Sequence, residues 1–272
     1  MQLDHCLDTA ATLIKQADSV LITAGAGMGV DSGLPDFRGD KGFWKAYPAL
    51  EGRGMRFIDV ANPRAIDKSP GLAWGFYGHR LKLYRNTEPH HGFQQLLEMV
   101  NAKPKGYFVY TSNVDGQFQK AGFDKQRMVE CHGSIHHLQC TQDDCFQKAI
   151  WPADDLNPVV NTKHCQLTNE LPRCLICGAI ARPNILMFGD ANWNDSRTFK
   201  QQQNFNDWYQ GSTNSVIVEL GAGTFVATIR YLGEHFNNPL IRINPHDKQQ
   251  SEQLISIPLG AKEGIAEIFK RL

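Results

Sequence analysis

The amino-terminal segment repeats apolar residues at helical spacing, with Leu3, Leu7, Ala10, Ile14 and Ala17 recurring every three or four positions. The pattern then changes to the continuous apolar run Ser19 to Thr23, which predicts an amphipathic helix feeding a buried strand. Phe93, Leu96, Leu97 and Val100 predict another helix, followed by the strand Tyr107 to Thr111. Short, mostly β-branched runs at Met128-Val129, Asn184 to Met187, Ser215 to Leu220, Leu240 to Ile243 and Leu254 to Ile257 read as further strands. Helical spacing returns at Phe225, Ile229 and Leu232, closed by Gly233, and at Ile265, Ile268, Phe269 and Leu272. Buried strands alternating with helices predict an α/β protein, a doubly wound and mostly parallel sheet covered on both faces. Residues 40–85, helical and loop-rich, and 138–180, polar and rich in Cys and Pro, break the rhythm and read as insertions. The large unit is then expected to comprise 1–39, 86–137 and 181–272, with the insertions forming a smaller module.

The residues just past each strand change the picture more than the strands do. The first strand leads into Gly25-Ala26-Gly27, the second into Ser112-Asn113-Val114-Asp115, the third into His132-Gly133 and the fourth into Phe188-Gly189-Asp190. The remaining three end at Gly221-Ala222-Gly223, Asn244-Pro245 and Leu259-Gly260-Ala261. Open α/β sheets bind ligands outside the carboxyl ends of their strands. Glycine lets backbone amides approach a pyrophosphate, and a following helix adds its positive end. A nucleotide site is therefore expected there. A conventional dehydrogenase fits poorly, because Val30 stands where its fingerprint needs a third glycine, and no strand-end acid occurs about 20 residues on. Instead a long loop carries Asp36, Phe37 and Arg38, which suits closure over a cofactor.

Composition narrows the field. The 272 residues are 42% hydrophobic and 21% charged, as in ordinary globular proteins, and 28 basic residues balance 28 acidic ones. That balance gives no electrostatic pull toward nucleic acid or anionic membrane. No apolar run approaches the ~18 residues of a membrane helix, and the amino terminus lacks a signal-peptide pattern. Seven cysteines suit a disulfide framework poorly, and a cytoplasmic location is expected. Cys140, Cys145, Cys174 and Cys177 form two pairs that can offer zinc four thiolates, a closed and structural site. Cys165 and His164 lie between the pairs and offer substitute ligands; unliganded surface thiols are the plain alternative.

Taken in order, several motifs resemble the signature of sirtuins, NAD-dependent protein lysine deacylases. They are Gly25-Ala26-Gly27 through Ser32-Gly33-Leu34-Pro35-Asp36-Phe37-Arg38-Gly39, then Thr111-Ser112-Asn113-Val114-Asp115 and His132-Gly133. The paired cysteines, Phe188-Gly189-Asp190 and Asn244 complete the set, which spans nearly the whole chain. The resemblance implies a Rossmann-like large domain, a small zinc module, NAD as co-substrate and an acyl-lysine protein or peptide as partner. Nicotinamide and O-acyl-ADP-ribose are the implied products. In the family mechanism the acyl oxygen attacks the anomeric carbon bearing nicotinamide, and a histidine then takes a proton from a ribose hydroxyl. His132 fits that base, with an imidazole that titrates near neutral pH; His136 and His137 read as structural. The resemblance places Asn113 and Asp115 at the nicotinamide and Asp36, Phe37 and Arg38 over the ribose and phosphate. Gly25, Ala26, Gly27, Ser112, Gly221, Ala222, Gly223, Asn244 and Ala261 complete the implied cofactor set. Phe188 and Gly189 are implied at the substrate.

Ser69-Pro70 can open a helix that places Tyr77 and Arg80 one turn apart. The pair looks like one that, in some sirtuins, recognises succinyl or malonyl groups; the alternative is an ordinary surface arginine. Departures from the family pattern mark a divergent, bacterial-like member. Gly29 replaces a serine, Ser112 a glutamine, and Gly221-Ala222-Gly223 a Gly-Thr-Ser. Two further readings arise from those losses: NAD hydrolysis or ADP-ribosyl transfer on the same fold, and a non-catalytic NAD- or ADP-ribose-sensing module.

Overall fold

The computed structural model describes residues 2–36, 39–145 and 149–272. Its strands are β1 (Ser19–Ala24), β2 (Tyr107–Thr111), β3 (Met128–Glu130), β4 (Gly133–Cys140), β5 (Ile150–Pro152) and β6 (Val160–Asn161). Then come β7 (Gln166–Leu167), β8 (Ala181–Ile185), β9 (Ser215–Leu220), β10 (Leu240–Ile243) and β11 (Leu254–Ile257). Helices α1 (Gln2–Gln16) and α2 (Gly27–Val30) flank β1, and α3 (Gly39–Ala46), α4 (Pro48–Glu51), α5 (Phe57–Val60), α6 (Pro63–Lys68) and α7 (Pro70–Asn86) come next. The later helices are α8 (His91–Asn101), α9 (Gln117–Lys120), α10 (Ser196–Gln210), α11 (Thr228–His235) and α12 (Ala261–Phe269).

Six strands form one sheet in the order β11-β10-β9-β1-β2-β3, every pair parallel. β1 sits centrally, with Ala24 level with Thr111 on one side and Leu220 on the other. Chain order runs outward in opposite directions from β1 and β9. The loops leaving these two strands therefore diverge, which opens a crevice at their carboxyl ends.

Alternation along the strands sends side chains to two cores. Val20, Ile22, Val109, Val218 and Ile241 pack with α1, α8 and α12 on one face. Leu21, Phe108, Val129 and Ile217 meet Phe205 of α10 on the other. Burying each such side chain is worth about 1.5–3 kcal/mol. A third core, with Phe43, Trp74, Phe76, Tyr77, Ile135 and Ile185, joins the helices of residues 39–86 to β4 and β8.

Three expectations need correcting. Of the run expected as a strand at Asn184 to Met187, only Asn184 and Ile185 are strand, the end of β8, which lies antiparallel to β4 in a separate sheet β5-β4-β8. β8 carries polar side chains that hydrophobicity hides: buried Arg182 pairs with Asp190, and Asn184 donates to Gln139 Oε1 at 2.9 Å. The helix expected from Phe225 begins at Thr228, leaving Phe225 83% exposed in the preceding loop, and Gly233 lies inside that helix rather than closing it. Helix α10 has no counterpart in the hydrophobic pattern, because Phe205, its one fully buried residue, sits in a Gln- and Asn-rich stretch. Among the described residues no helix is long and apolar enough to cross a membrane.

Candidate functional site

The tips of β1 and β9 touch backbone to backbone. Gly221 adopts φ +59°, and a Cβ there would lie 2.4 Å from the Gly27 carbonyl carbon. Side chains at Gly25 or Gly27 would likewise meet the Gly221-Ala222 backbone within 3 Å, so glycine is required where the two loops cross. The Gly27 N–H donates to Gly221 O at 3.0 Å and locks the crossing. Two neighbours hold the Ala222 carbonyl: Asn244 Nδ2 at 3.0 Å, and Arg230 through Nε at 3.1 Å and Nη2 at 3.0 Å. Arg230 also pairs with Asp247 just beyond β10. From β2, Asn113 Nδ2 donates to Gly25 O at 2.9 Å, and Ser112 N to Ala24 O at 3.1 Å.

These loops wall one end of a cavity of about 760 Å³, within the range of small-molecule and cofactor sites. His132 lines its middle. The backbone there is pinned by Cys131 N donating to Thr111 O at 2.9 Å and Leu186 N to His132 O at 2.9 Å. Gly133, at φ +76°, makes the turn between β3 and β4, where a Cβ would overlap Asn184 O. Burial lowers the His132 pKa, opposed by its hydrogen bond to the Ser112 backbone. The ring is therefore neutral at pH 7 with a lone pair to accept a proton. Cys131 points to the opposite sheet face, its thiol pushed by burial up to about 12. His136 Nε2 lies 2.9 Å from Asp115 O, a structural contact.

At the other end α7 presents Tyr77 and Arg80. Arg80 donates through Nε and Nη2 to Tyr84 Oη at 2.9 and 2.6 Å, and its guanidinium lies 5.2 Å from the Phe76 and Tyr84 ring centroids. Burial disfavours its charge, but the Tyr84 and Tyr47 hydroxyls raise its pKa, so it stays cationic. Burial pushes Tyr77 up to about 12, a neutral hydroxyl in the same wall. Phe188 closes this end, edge-on to Phe57 at 5.7 Å, with its N–H donating to Ala61 O.

Asp115 stands beside this group, pushed by burial up to about 6 although Gln117 N donates to its Oδ1 at 2.9 Å. A carboxyl raised above its unfolded value stabilises the fold fully below pH ~4, and that stability is lost as pH rises through about 6. Asp115→Asn keeps the acceptor for Gln117. It is expected to stabilise the chain by about 1–3 kcal/mol at pH 8 and hardly at pH 4, read from urea midpoints at both pH values.

Away from the cavity, the sulfurs of Cys140, Cys145, Cys174 and Cys177 all lie within 4.8 Å of one another. Cys140 and Cys177 are 3.6 Å apart, and Cys145 and Cys174 3.8 Å. A tetrahedron with zinc–sulfur bonds of ~2.3 Å has edges of about 3.8 Å, so the donor set fits a structural zinc. Burial opposes charge at Cys174, yet backbone N–H groups of Cys177 and Ile176 and the neighbouring thiols draw it down to about 7. Cys165 is buried in the helical core and is not part of the cluster, which sets aside the substitute-ligand reading.

With this geometry in place, a comparison with family profiles matches residues 25–227 to the Sir2 family. The chain belongs to the Sir2 family. Among curated relatives, a protein of Thermococcus kodakarensis named NAD-dependent protein deacylase is 32% identical over 184 residues, 68% of this chain and 65% of that protein. One of the same name from Thermococcus sibiricus is 30% identical over 186 residues, with the same shares. The match thus spans just under two thirds of these relatives' length. A solved Sir2 homolog–NAD complex superposes with a TM-score of 0.73 at 22% identity, covering 96% of this chain and 92% of that one, a likeness of fold.

Within this Sir2 chain most of the expected site residues converge on the cavity. Gly25, Ala26, Gly27, Asp36, Ser112, Asn113, Asp115, His132, Gly221, Ala222, Gly223, Asn244, Tyr77, Arg80 and Phe188 all line it. Ala261 does not: it is buried at the first position of α12, and Asp31 Oδ2 accepts from Lys262 N at 2.9 Å. The chain's own carboxylate serves the helix end that was expected to face the cofactor. Gly189 forms the turn beside Phe188 at φ +64° and is not among the lining residues. Phe37 and Arg38 lie outside the described residues. Sequence reading missed Tyr84, Arg230, His246 and Asp247, which also line the cavity. Asp247 had a signal, since it lies just past Asn244 at a strand end; Arg230 looked like the solvent face of an amphipathic helix.

Proposed function

We propose that this Sir2 chain is an NAD-dependent protein lysine deacylase that releases nicotinamide and O-acyl-ADP-ribose. The observation carrying this reading is one cavity that joins a glycine-walled crossing of two strand tips, a neutral histidine and a Tyr–Arg pocket. The names of the Thermococcus relatives agree with it. The Gly25–Gly27 and Gly221–Gly223 loops, with Asn244, hold the adenosine and phosphate half of NAD. Asn113 and Asp115 order the carboxamide end, and Asp36 covers the ribose. Bound there, NAD supplies an electrophilic anomeric carbon. His132 accepts the proton from a ribose hydroxyl, and the apolar wall of Phe57, Met187 and Phe188 excludes water. Zinc on the four cysteines is a structural staple, and the free thiols suit the reducing cytoplasm. The partner is an acyl-lysine protein or peptide; nucleic acid and membrane have no part in the reading.

Mass spectrometry of the products from NAD and a panel of acyl-lysine peptides tests the reaction. Deacylated peptide and O-acyl-ADP-ribose in equal amounts are expected. Nicotinamide released at the same rate without peptide favours hydrolysis or ADP-ribosyl transfer instead. Tyr77 and Arg80 give the acyl pocket a neutral hydroxyl and a fixed cation, a recognition pair for a carboxylate in apolar surroundings. Arg80→Met is accordingly expected to reduce kcat/KM for succinyl-lysine at least tenfold more than for acetyl-lysine, measured on matched peptides. Equal losses on both would leave Arg80 a packing residue.

A further inference from the structure

Thr228, the first residue of α11, brings its Oγ1 to 3.4 Å from His132 Nε2 across 96 positions of sequence. It touches the ring from outside, since it is exposed and is not itself a lining residue of the cavity. Both partners are held firmly. His132 is fixed by backbone hydrogen bonds that tie its segment to β2 and β8. Helix α11 is tied down by buried Ile229, by the double donation of Arg230 to Ala222 O, and by Gly233, which packs against Glu219 and Leu240. An exposed threonine has little packing to contribute at this point, whereas a hydroxyl can both donate to a neutral imidazole and accept from a protonated one.

We infer that Thr228 is a positioning residue for His132: its hydroxyl steadies the ring at Nε2, gives up that lone pair when the sugar hydroxyl delivers its proton, and then accepts from the N–H of the imidazolium. This assignment rests on the deacylase reading. The proton comes from a sugar hydroxyl of the co-substrate, whose bonding electron pair stays on that oxygen. It rests on the ring, shared with Thr228 Oγ1, and leaves to water, so no further reactant is required. Thr228 faces the ring from the helix side, opposite in chain terms to the Ser112 backbone that favours its charged form, so both polar neighbours belong to fixed parts of the fold.

Thr228→Val removes the hydroxyl and keeps the branched shape; Thr228→Ser keeps the hydroxyl. With NAD and an acyl-lysine peptide, Thr228→Val is expected to release nicotinamide in the first turnover at the wild-type rate. It should form deacylated peptide about tenfold more slowly, the scale of one hydrogen bond to a charged group. The acid limb of its rate profile should move to lower pH, because the charged ring has lost an acceptor, and Thr228→Ser should restore both rate and limb. A Thr228→Val rate within twofold of wild type would overturn the assignment. So would a loss that serine does not rescue, or a change confined to KM for NAD. A wild-type chain that makes no deacylated peptide removes the deacylase reading itself, whereas an active wild type with an indifferent valine variant removes Thr228 alone.

Discussion

His132→Ala is expected to lower acyl-lysine turnover by about 10²–10⁴-fold, the range a positioned general base contributes. NAD affinity should stay within about threefold of wild type. The separation comes from the architecture. Contacts that can hold the dinucleotide come from the Gly25–Gly27 and Gly221–Gly223 crossing and from Asn244, and none of them passes through the imidazole. His132 owes its place to its backbone bonds, which alanine keeps. Steady-state rates at saturating substrates, beside calorimetric NAD binding, read the two effects apart. A variant that lost NAD binding in parallel with turnover would make His132 a structural residue. A variant that kept its full rate would remove it from the chemistry. Because burial lowers the His132 pKa, the wild-type rate is expected to hold down to a pH below 6.5 and then fall as the ring protonates.

Removing metal from the four-cysteine cluster should have the second largest consequence. Structural zinc sites in small domains carry roughly 10–16 kcal/mol of apparent binding free energy, much of it expressed as folding. Between β4 and β8 the segment that carries the cysteines has little regular structure of its own, since β6 and β7 are two residues each and β5 has no fully buried residue. One zinc per chain is expected by atomic absorption. Chelation, or Cys174→Ser, should expose residues 141–180 to trypsin while the parallel sheet keeps its protection, because its cores draw on other residues. Because β4 and β8 also back His132 and Phe188, acyl turnover should fall with the metal. A metal-free chain with unchanged protease resistance and activity would contradict the structural role.

The parallel sheet was legible because its strands are continuous apolar runs, and those at Tyr107–Thr111, Ser215–Leu220, Leu240–Ile243 and Leu254–Ile257 match the observed bounds residue for residue. The small sheet was not. Arg182 is buried against Asp190 and Asn184 against Gln139 and the Asn194 carbonyl, and burial through pairing leaves no hydrophobic trace in the sequence. Helix α10 hid for a related reason: it covers the sheet with a few aromatic residues set among glutamines. The cavity was legible where glycines mark strand ends. It was obscure where long-range polar contacts build it, as with Arg230 bridging Ala222 O and Asp247. Ala261 failed in the opposite direction, since a strand end with a helix behind it looked like an anion site, yet Asp31 already fills that place.

A structure of the chain soaked with NAD would locate the co-substrate relative to the base. The dinucleotide is expected across the Gly27–Gly221 crossing, with a hydroxyl of its nicotinamide ribose within hydrogen-bond distance, ~3 Å, of the His132 ring. NAD bound elsewhere, or a ribose more than ~6 Å from that imidazole with no bridging water, would contradict the role given to His132 and the deacylase reading with it.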